Sequence, residues 1–261
     1  MSLVSGYEFY KLCKWSFCPR YESLFNPLLI QENDFVFLNL DYFIPFISTL
    51  QQNKPKHKFI LIAHNSDKPF TPQYFQYLFN FTNHIFCINC LINHPKITCL
   101  PIGFVDNKYK PHNKFEEILN KNYNKDILLY CNFSIETNRV KRIECLNKFL
   151  NEKWVLKEKN LPPEDFYKKI ARSKYVLSPE GTGIDCHRIY ESIYFNSIPI
   201  IKKTQMDYFY TKIPILIVNN WDDVTKEFLE TNYEYYLNKL IEWKRNNQEW
   251  TTAKYWLRIK N

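Results

Sequence analysis

Short apolar runs rich in β-formers alternate with helically patterned stretches along this chain. That alternation restricts its fold more than any other feature, because strand–helix–strand repeats close into parallel sheets. In the first half, residues 34–40 (DFVFLNL) and 58–62 (KFILI) read as buried strands, with a helix expected over 42–52 between them. The polar turn His64-Asn65-Ser66-Asp67-Lys68-Pro69 follows the second strand, then a helical stretch near 73–80 and an apolar run at 84–88. The second half repeats the grammar: strand 126–131, helix 138–150, strand 154–156, helix 163–173, strand 174–177, helix 188–195, strands 198–201 and 215–218, and a helical region over 222–254. A polar stretch at 106–125 (DNKYKPHNKFEEILNKNYNK) separates the two clusters. The expected fold is therefore α/β, with two Rossmann-like lobes at 1–115 and 116–261, a cleft between them, and C-terminal helices packing back across a lobe. With 261 residues, 45% of them hydrophobic, the chain has ample material for such cores.

Charge narrows the ligand class. Lys and Arg outnumber Asp and Glu by 35 to 27, a formal charge of +8, which concentrates anions around the protein. The basic residues occur as singles and pairs with acidic neighbours, which argues against a dedicated nucleic-acid arm and leaves a small anion such as a diphosphate. Eight scattered cysteines in a chain too large to need a disulfide framework read as thiols in a reducing compartment. Cys87-x-x-Cys90, with His94 and Cys99 downstream, lacks a second close ligand pair and alternates with Ile88, Leu91 and Ile92, so it reads as buried thiols and not as a zinc site. With no leader pattern and no apolar run approaching a membrane span, the expectation is a cytoplasmic protein without an integral membrane segment or a nucleic-acid partner.

The segment Ser178-Pro179-Glu180-Gly181-Thr182-Gly183-Ile184-Asp185-Cys186-His187-Arg188 leaves an expected strand and enters an expected helix, which is where open α/β sheets bind ligands. Two of only four glycines, Gly181 and Gly183, stand here at G-x-G spacing, as a tight turn beside a phosphate requires. Arg188 on the first helical turn could pair with a diphosphate, and Glu191, three residues on along the same face, could accept hydrogen bonds from ribose hydroxyls. The same spacings also describe an ordinary loop and an i,i+3 helical pair worth about 0.2–0.5 kcal/mol.

Beyond spacing, the stretches RSKYVLSPEG (172–181), DCHRIYE (185–191) and NSIPII (196–201) resemble the donor-binding lobe of exostosin-like inverting glycosyltransferases, with Ser197 where that pattern carries glycine. His64-Asn65-Ser66-Asp67, Asn93-His94-Pro95-Lys96 and Leu100-Pro101-Ile102-Gly103 look like the N-terminal lobe of similar enzymes in large DNA viruses and microbes. The resemblance implies a GT-B fold, a nucleotide sugar held by the C-terminal lobe, a glycan acceptor held by the N-terminal lobe, and no metal or other cofactor. It favours uridine or guanosine diphosphate carriers and, for a viral relative working in its host's cytoplasm, a capsid glycoprotein as the bearer of the acceptor. On the donor side it marks Ser178, Glu180, Gly181, Thr182, Gly183, Asp185, Arg188 and Glu191.

Metal-independent transfer needs protein cations at the diphosphate, and the sequence has no Asp-x-Asp motif after a strand. Asn132, Arg139 and Arg142 follow the first strand of the second lobe, Arg139 being the candidate for a second diphosphate contact and Arg142 its substitute; a solvated basic helix face is the competing reading. Inverting transfer also needs one base to take the acceptor proton. Asp67 is the favoured candidate over His64, which would shape the site, and Asp185 is a weaker one; Asn65 and Asp67 as plain turn formers are the alternative. A catalytically silent nucleotide- or glycan-binding relative remains the second functional expectation.

Overall fold

A computed structural model describes residues 2–109 and 112–258; Lys110 and Pro111 of the expected 106–125 boundary stretch lie outside the described residues. The chain divides into two compact units, one made of Ser2–Asp106 with the segment from Trp250 onward, the other of Asn107–Glu249. The division falls at Asp106/Asn107 and not at 115/116. A cut at 115/116 would pass through a helix, Asn113–Leu119, whose Phe115 packs in the second unit against Tyr167, Phe195 and Tyr194 at centroid distances of 4.4, 5.3 and 5.5 Å.

In the first unit, α1 (Gly6–Tyr10) and β1 (Trp15–Phe17) precede β2 (Phe35–Asn39), α2 (Phe43–Gln52), β3 (Phe59–His64), α3 (Pro72–Leu78), β4 (Thr82–Cys87) and β5 (Ile97–Cys99). Every strand pair is parallel and the order is β1-β2-β3-β4-β5. β3 is buried along its whole length, as the unbroken run FILIAH requires of a strand covered on both faces. α2 buries Phe43, Phe46, Ile47 and Leu50, the i, i+3, i+4, i+7 stripe that fixes one face inward. The edge strands β1 and β5 hold three residues each, too few for any periodicity to be read from sequence.

The second unit begins with α4 (Asn113–Leu119) and continues through β6 (Ile127–Cys131), α5 (Arg139–Phe149), β7 (Val155–Lys157), α6 (Pro163–Arg172), β8 (Ser173–Leu177), α7 (His187–Tyr194), β9 (Ile198–Lys202), α8 (Asp207–Tyr210), β10 (Leu216–Val218) and α9 (Lys226–Asn246). Its parallel sheet runs β7-β6-β8-β9-β10, so the chain steps outward from β6 to β7 and then back across to β8. The helical region expected over 222–254 does not act as one piece. α9 lays Leu229, Tyr233 and Leu240 into the core of this unit with Leu129, Tyr175 and Leu216. By contrast α10 (Ala253–Trp256) belongs to the first unit, where Val4 donates its N–H to Thr251 O at 2.6 Å. Two Rossmann-like α/β lobes, with the C-terminal segment packing back on a lobe, are thus the observed architecture. Among the described residues no helix is long and apolar enough to cross a membrane.

A chain with four glycines needs another residue for left-handed turns. Asn33, Asn65, Asn89, Asn122, Asn160 and Asn196 fill that role, with φ between 44° and 63°; asparagine's short polar side chain tolerates this region best after glycine. Asn196 ends α7 at φ 56°, so the turn left open by the Ser197 departure is made one residue earlier, and the Ser197 N–H closes back on Ser192 O at 2.9 Å.

Two lysines close the carbonyl end of α7. Lys244 Nζ donates to Tyr194 O (3.0 Å) and Asn196 Oδ1 (2.6 Å), and Lys125 Nζ donates to Phe195 O (2.8 Å) and Ser197 Oγ (2.7 Å). Burial outweighs the pull of the helix end, bringing Lys125 down to about 7, with Lys244's charge contributing, and Lys244 down to about 8. Since both values lie below the ordinary lysine range, these two groups bind more protons in the unfolded chain from neutral pH upward, and their contribution makes folding stability rise with pH. Thermal melts should therefore show a midpoint climbing from about pH 7 to about pH 8, above which the buried thiols, which ionise only in the unfolded chain, turn the slope downward; the climb is expected to be shallower in Lys125→Met.

Candidate functional site

The reversal between β6 and β8 opens a crevice at the carboxyl ends of those strands, the position where doubly wound sheets bind ligands. The loops that leave β6 and β8 are bound to each other there. Asn138 caps α5 by accepting the Lys141 N–H (3.3 Å) and donates its amide to Gly181 O (2.9 Å), while Thr182 Oγ1 donates to Thr137 O (3.2 Å). Arg142, 5% exposed, donates from Nε to Glu180 O at 2.9 Å and from Nη1 to Ser134 O at 2.6 Å. The Glu180 carboxylate pairs with Lys141 at 2.5 Å. Gly181 is required by closeness: a Cβ there would lie 2.8 Å from Arg142 Nη2. Its N–H turns onto Gly183 O at 3.1 Å and closes the bend, with neither glycine in the left-handed region.

Beside this knot lies a hollow of about 380 Å³, lined by Asn132, Phe133 and Ser134 after β6, Asn160 and Leu161 after β7, and Arg188 on α7. Nε and Nη1 of Arg188 are buried and have no hydrogen-bond partner. A guanidinium left in that state costs free energy until an anion satisfies it. Arg142 lies near enough for the Arg188 charge to join burial, the larger cause, in pushing Arg142 below the usual arginine range. Both guanidiniums lie against one ring, with Cζ at 5.6 Å (Arg142) and 5.8 Å (Arg188) from the Phe133 centroid.

The remaining expected donor-side residues take other positions. Asp185 is 2% exposed and accepts from the Cys186 N–H (3.0 Å) and from the hydroxyls of Tyr190 (2.6 Å) and Tyr210 (3.1 Å), which fixes the entry to α7. Glu191 is also 2% exposed and accepts from Tyr167 Oη at 3.2 Å. The Ser178 hydroxyl donates to Val176 O at 3.3 Å, and Asn132 donates its amide to Tyr130 Oη at 2.9 Å. Arg139, expected as the second diphosphate contact, is exposed and pairs with Glu136 at 3.7 Å. In the first unit, His64 is buried; its Nε2 donates to Pro101 O (3.1 Å) and its Nδ1 accepts the Asn65 N–H (2.9 Å). Asp67 is exposed on the loop beyond β3. Sequence reasoning missed Phe133 as a support for cations and Asn138 as the tie between loops; Asn138 carried the signal of an N-cap before a helix.

A sequence profile of the RXYLT1 C-terminal domain matches residues 118–260, more than half of the chain. The chain belongs to the RXYLT1 C-terminal domain family. This is a xylosyltransferase-like, exostosin-type family, so the coarse expectation of a glycosyltransferase-like protein stands. No curated protein sequence is significantly similar to the chain. Among solved structures, the apo structure of OtsA has a TM-score of 0.47 at 10% identity, covering 85% of this chain and 73% of its own. A UDP-forming α,α-trehalose-phosphate synthase from Burkholderia vietnamiensis has a TM-score of 0.48 at 9% identity, covering 87% and 70%. The pneumococcal O-GlcNAc transferase GtfA, solved with UDP and GlcNAc, has a TM-score of 0.36 at 12% identity, covering 87% and 54%.

The RXYLT1 C-terminal domain match takes in both loops, the hollow and Arg188, and leaves out His64 and Asp67. Cys87 and Cys90 are buried beside each other, and burial pushes the Cys87 thiol well above its ordinary value; among the described residues no group of three or more His, Cys, Asp or Glu side chains converges to hold a metal ion. The knot at Gly181 can be tested directly. Gly181→Ala drives a methyl into Arg142 Nη2 and is expected to cost about 1–3 kcal/mol in chemical denaturation, since overpacking at a tied buried group has few ways to relax.

Proposed function

We propose that the protein is an inverting, metal-independent glycosyltransferase that moves a sugar from a uridine- or guanosine-diphosphate carrier to a glycan hydroxyl, the acceptor being carried on a glycoprotein. One observation carries this reading: at the crevice of a doubly wound lobe, Arg188 lines a hollow of about 380 Å³ and holds two buried N–H donors that have no partner. A diphosphate supplies the missing acceptors, and its negative charge is what a pair of neighbouring guanidiniums favours. During transfer that charge grows on the leaving oxygen, so cations already in position stabilise the transition state more than the bound donor. In this reading Arg142 contributes charge and holds the loops, because its Nε and Nη1 donors are spent on carbonyls. Cytoplasmic placement belongs to the same proposal and is supported by cysteine usage, eight free thiols of which six are buried.

The acceptor hydroxyl attacks the anomeric carbon on the face opposite the diphosphate, and a base must take its proton. Asp67 is the proposed base. It is an exposed carboxylate on a loop leaving the carboxyl end of a parallel strand, whereas the His64 ring is buried and has both nitrogens engaged. His64 is accordingly assigned to holding the loop. Glu191, buried and bonded to Tyr167 Oη, does not line the hollow and is given no ligand contact in this reading.

Nucleoside diphosphate release from a panel of nucleotide sugars, with and without glycan acceptors, tests the activity, and NMR of the product's anomeric proton tests inversion. Asp67→Asn is expected to lower kcat by roughly 10²–10⁴-fold with donor affinity unchanged. Arg188→Ala is expected to weaken nucleotide binding by about 1.5–3 kcal/mol in calorimetric titration. Nucleotide binding without release of the sugar from any donor would leave a silent relative, and an unchanged kcat in Asp67→Asn would remove Asp67 from the mechanism.

A further inference from the structure

Arg142 and Arg188 are like charges whose guanidiniums share one ring, and neither has a carboxylate partner among the described residues. Arg142 is anchored by its two carbonyls. For Arg188 the arrangement offers no such anchor, and a long side chain at a helix start would ordinarily swing outward, where water satisfies its donors and the repulsion falls. What lies against it is the ring of Phe133, which faces Arg142 as well. Phe133 is 7% exposed, follows directly on the Asn132 step out of β6, and is packed into the core of the unit with Cys131, Cys145 and Phe149. A ring so held presents its negative quadrupole at a fixed point.

We propose that Phe133 is a positioning residue of the donor site, its ring holding Arg188 beside Arg142 at the lining of the hollow before any diphosphate arrives. The proposal rests on the nucleotide-sugar reading and deepens it. Electron density of the ring attracts both cations and offsets part of their repulsion, so the binding cost of orienting Arg188 is met by the fold and not by the ligand. A core residue of equal bulk would fill the same space and do none of this. The distinction between ring electrons and ring volume is therefore the measurable one.

The test titrates inorganic pyrophosphate and UDP into the full chain by calorimetry for wild type, Phe133→Leu and a series carrying mono-, di- and trifluorinated phenylalanine at 133. Fluorination keeps the ring's shape and drains its face. Affinity for both probes is expected to fall roughly three- to thirty-fold in Phe133→Leu and stepwise with each fluorine, while the melting midpoints of the fluorinated proteins stay within about 2 °C of wild type. In the Arg188→Ala background the fluorine series should become flat, and in turnover the donor KM should rise along the series with kcat at saturating donor retained. If Phe133→Leu does not fold, the fluorinated series decides alone. Equal affinities across that series with wild type still binding overturn the role of Phe133 and leave the nucleotide-sugar reading intact. A wild-type protein that binds neither pyrophosphate nor any nucleoside diphosphate overturns both.

Discussion

A buried guanidinium must find its acceptors inside the fold, because leaving one unpaired costs several kcal/mol. Arg142 meets that demand with main-chain oxygens from two separate loops, Ser134 O after β6 and Glu180 O after β8. Much else at the site follows. Gly181 must be glycine because Nη2 occupies the space of a side chain, and Asn138 and Thr182 can reach across only because the loops are already drawn together. The resulting bend delivers the chain to the start of α7 with Arg188 over the hollow. A residue whose spacing suggested a ligand contact is thus better understood as the clasp that makes the contact site.

α7 shows how the same economy extends along one helix. From Ile189 to Tyr194 every residue is buried, so the helix cannot rely on water for its end groups. At its entry Asp185 is gripped by two tyrosine hydroxyls, and at its exit Lys125 and Lys244 take up the last carbonyls around the left-handed Asn196. The position of Arg188 is therefore set from both ends of a rigid element. The low glycine content makes asparagine the turn residue here as in five other places.

The two lobes differ in what their topology offers. Reversal of strand order gives the second sheet a crevice; the first sheet winds in one direction from β1 to β5 and has no such point. In the second lobe the crevice therefore coincides with the buried Arg142 and the buried donors of Arg188, whereas Asp67 stands exposed on a loop of the first. The profile match, confined to 118–260, follows the same division.

The sequence by itself determined the parallel α/β character of both lobes, most strand and helix positions, and the loop of 178–188 that leads from a strand into a helix and carries Arg188. Those features are written in period, length and turn chemistry, which are local. It could not reveal the three-residue edge strands, nor that the helical C-terminus serves two units, because nothing in so short a run or so mixed a helix fixes a partner. Nor could it rank Arg139, Arg142 and Arg188. All three are arginines at helix starts, and only the tertiary structure sends one to solvent, one to two carbonyls and one to the lining of a hollow, because burial and the nearest acceptor are decided by residues far away in sequence.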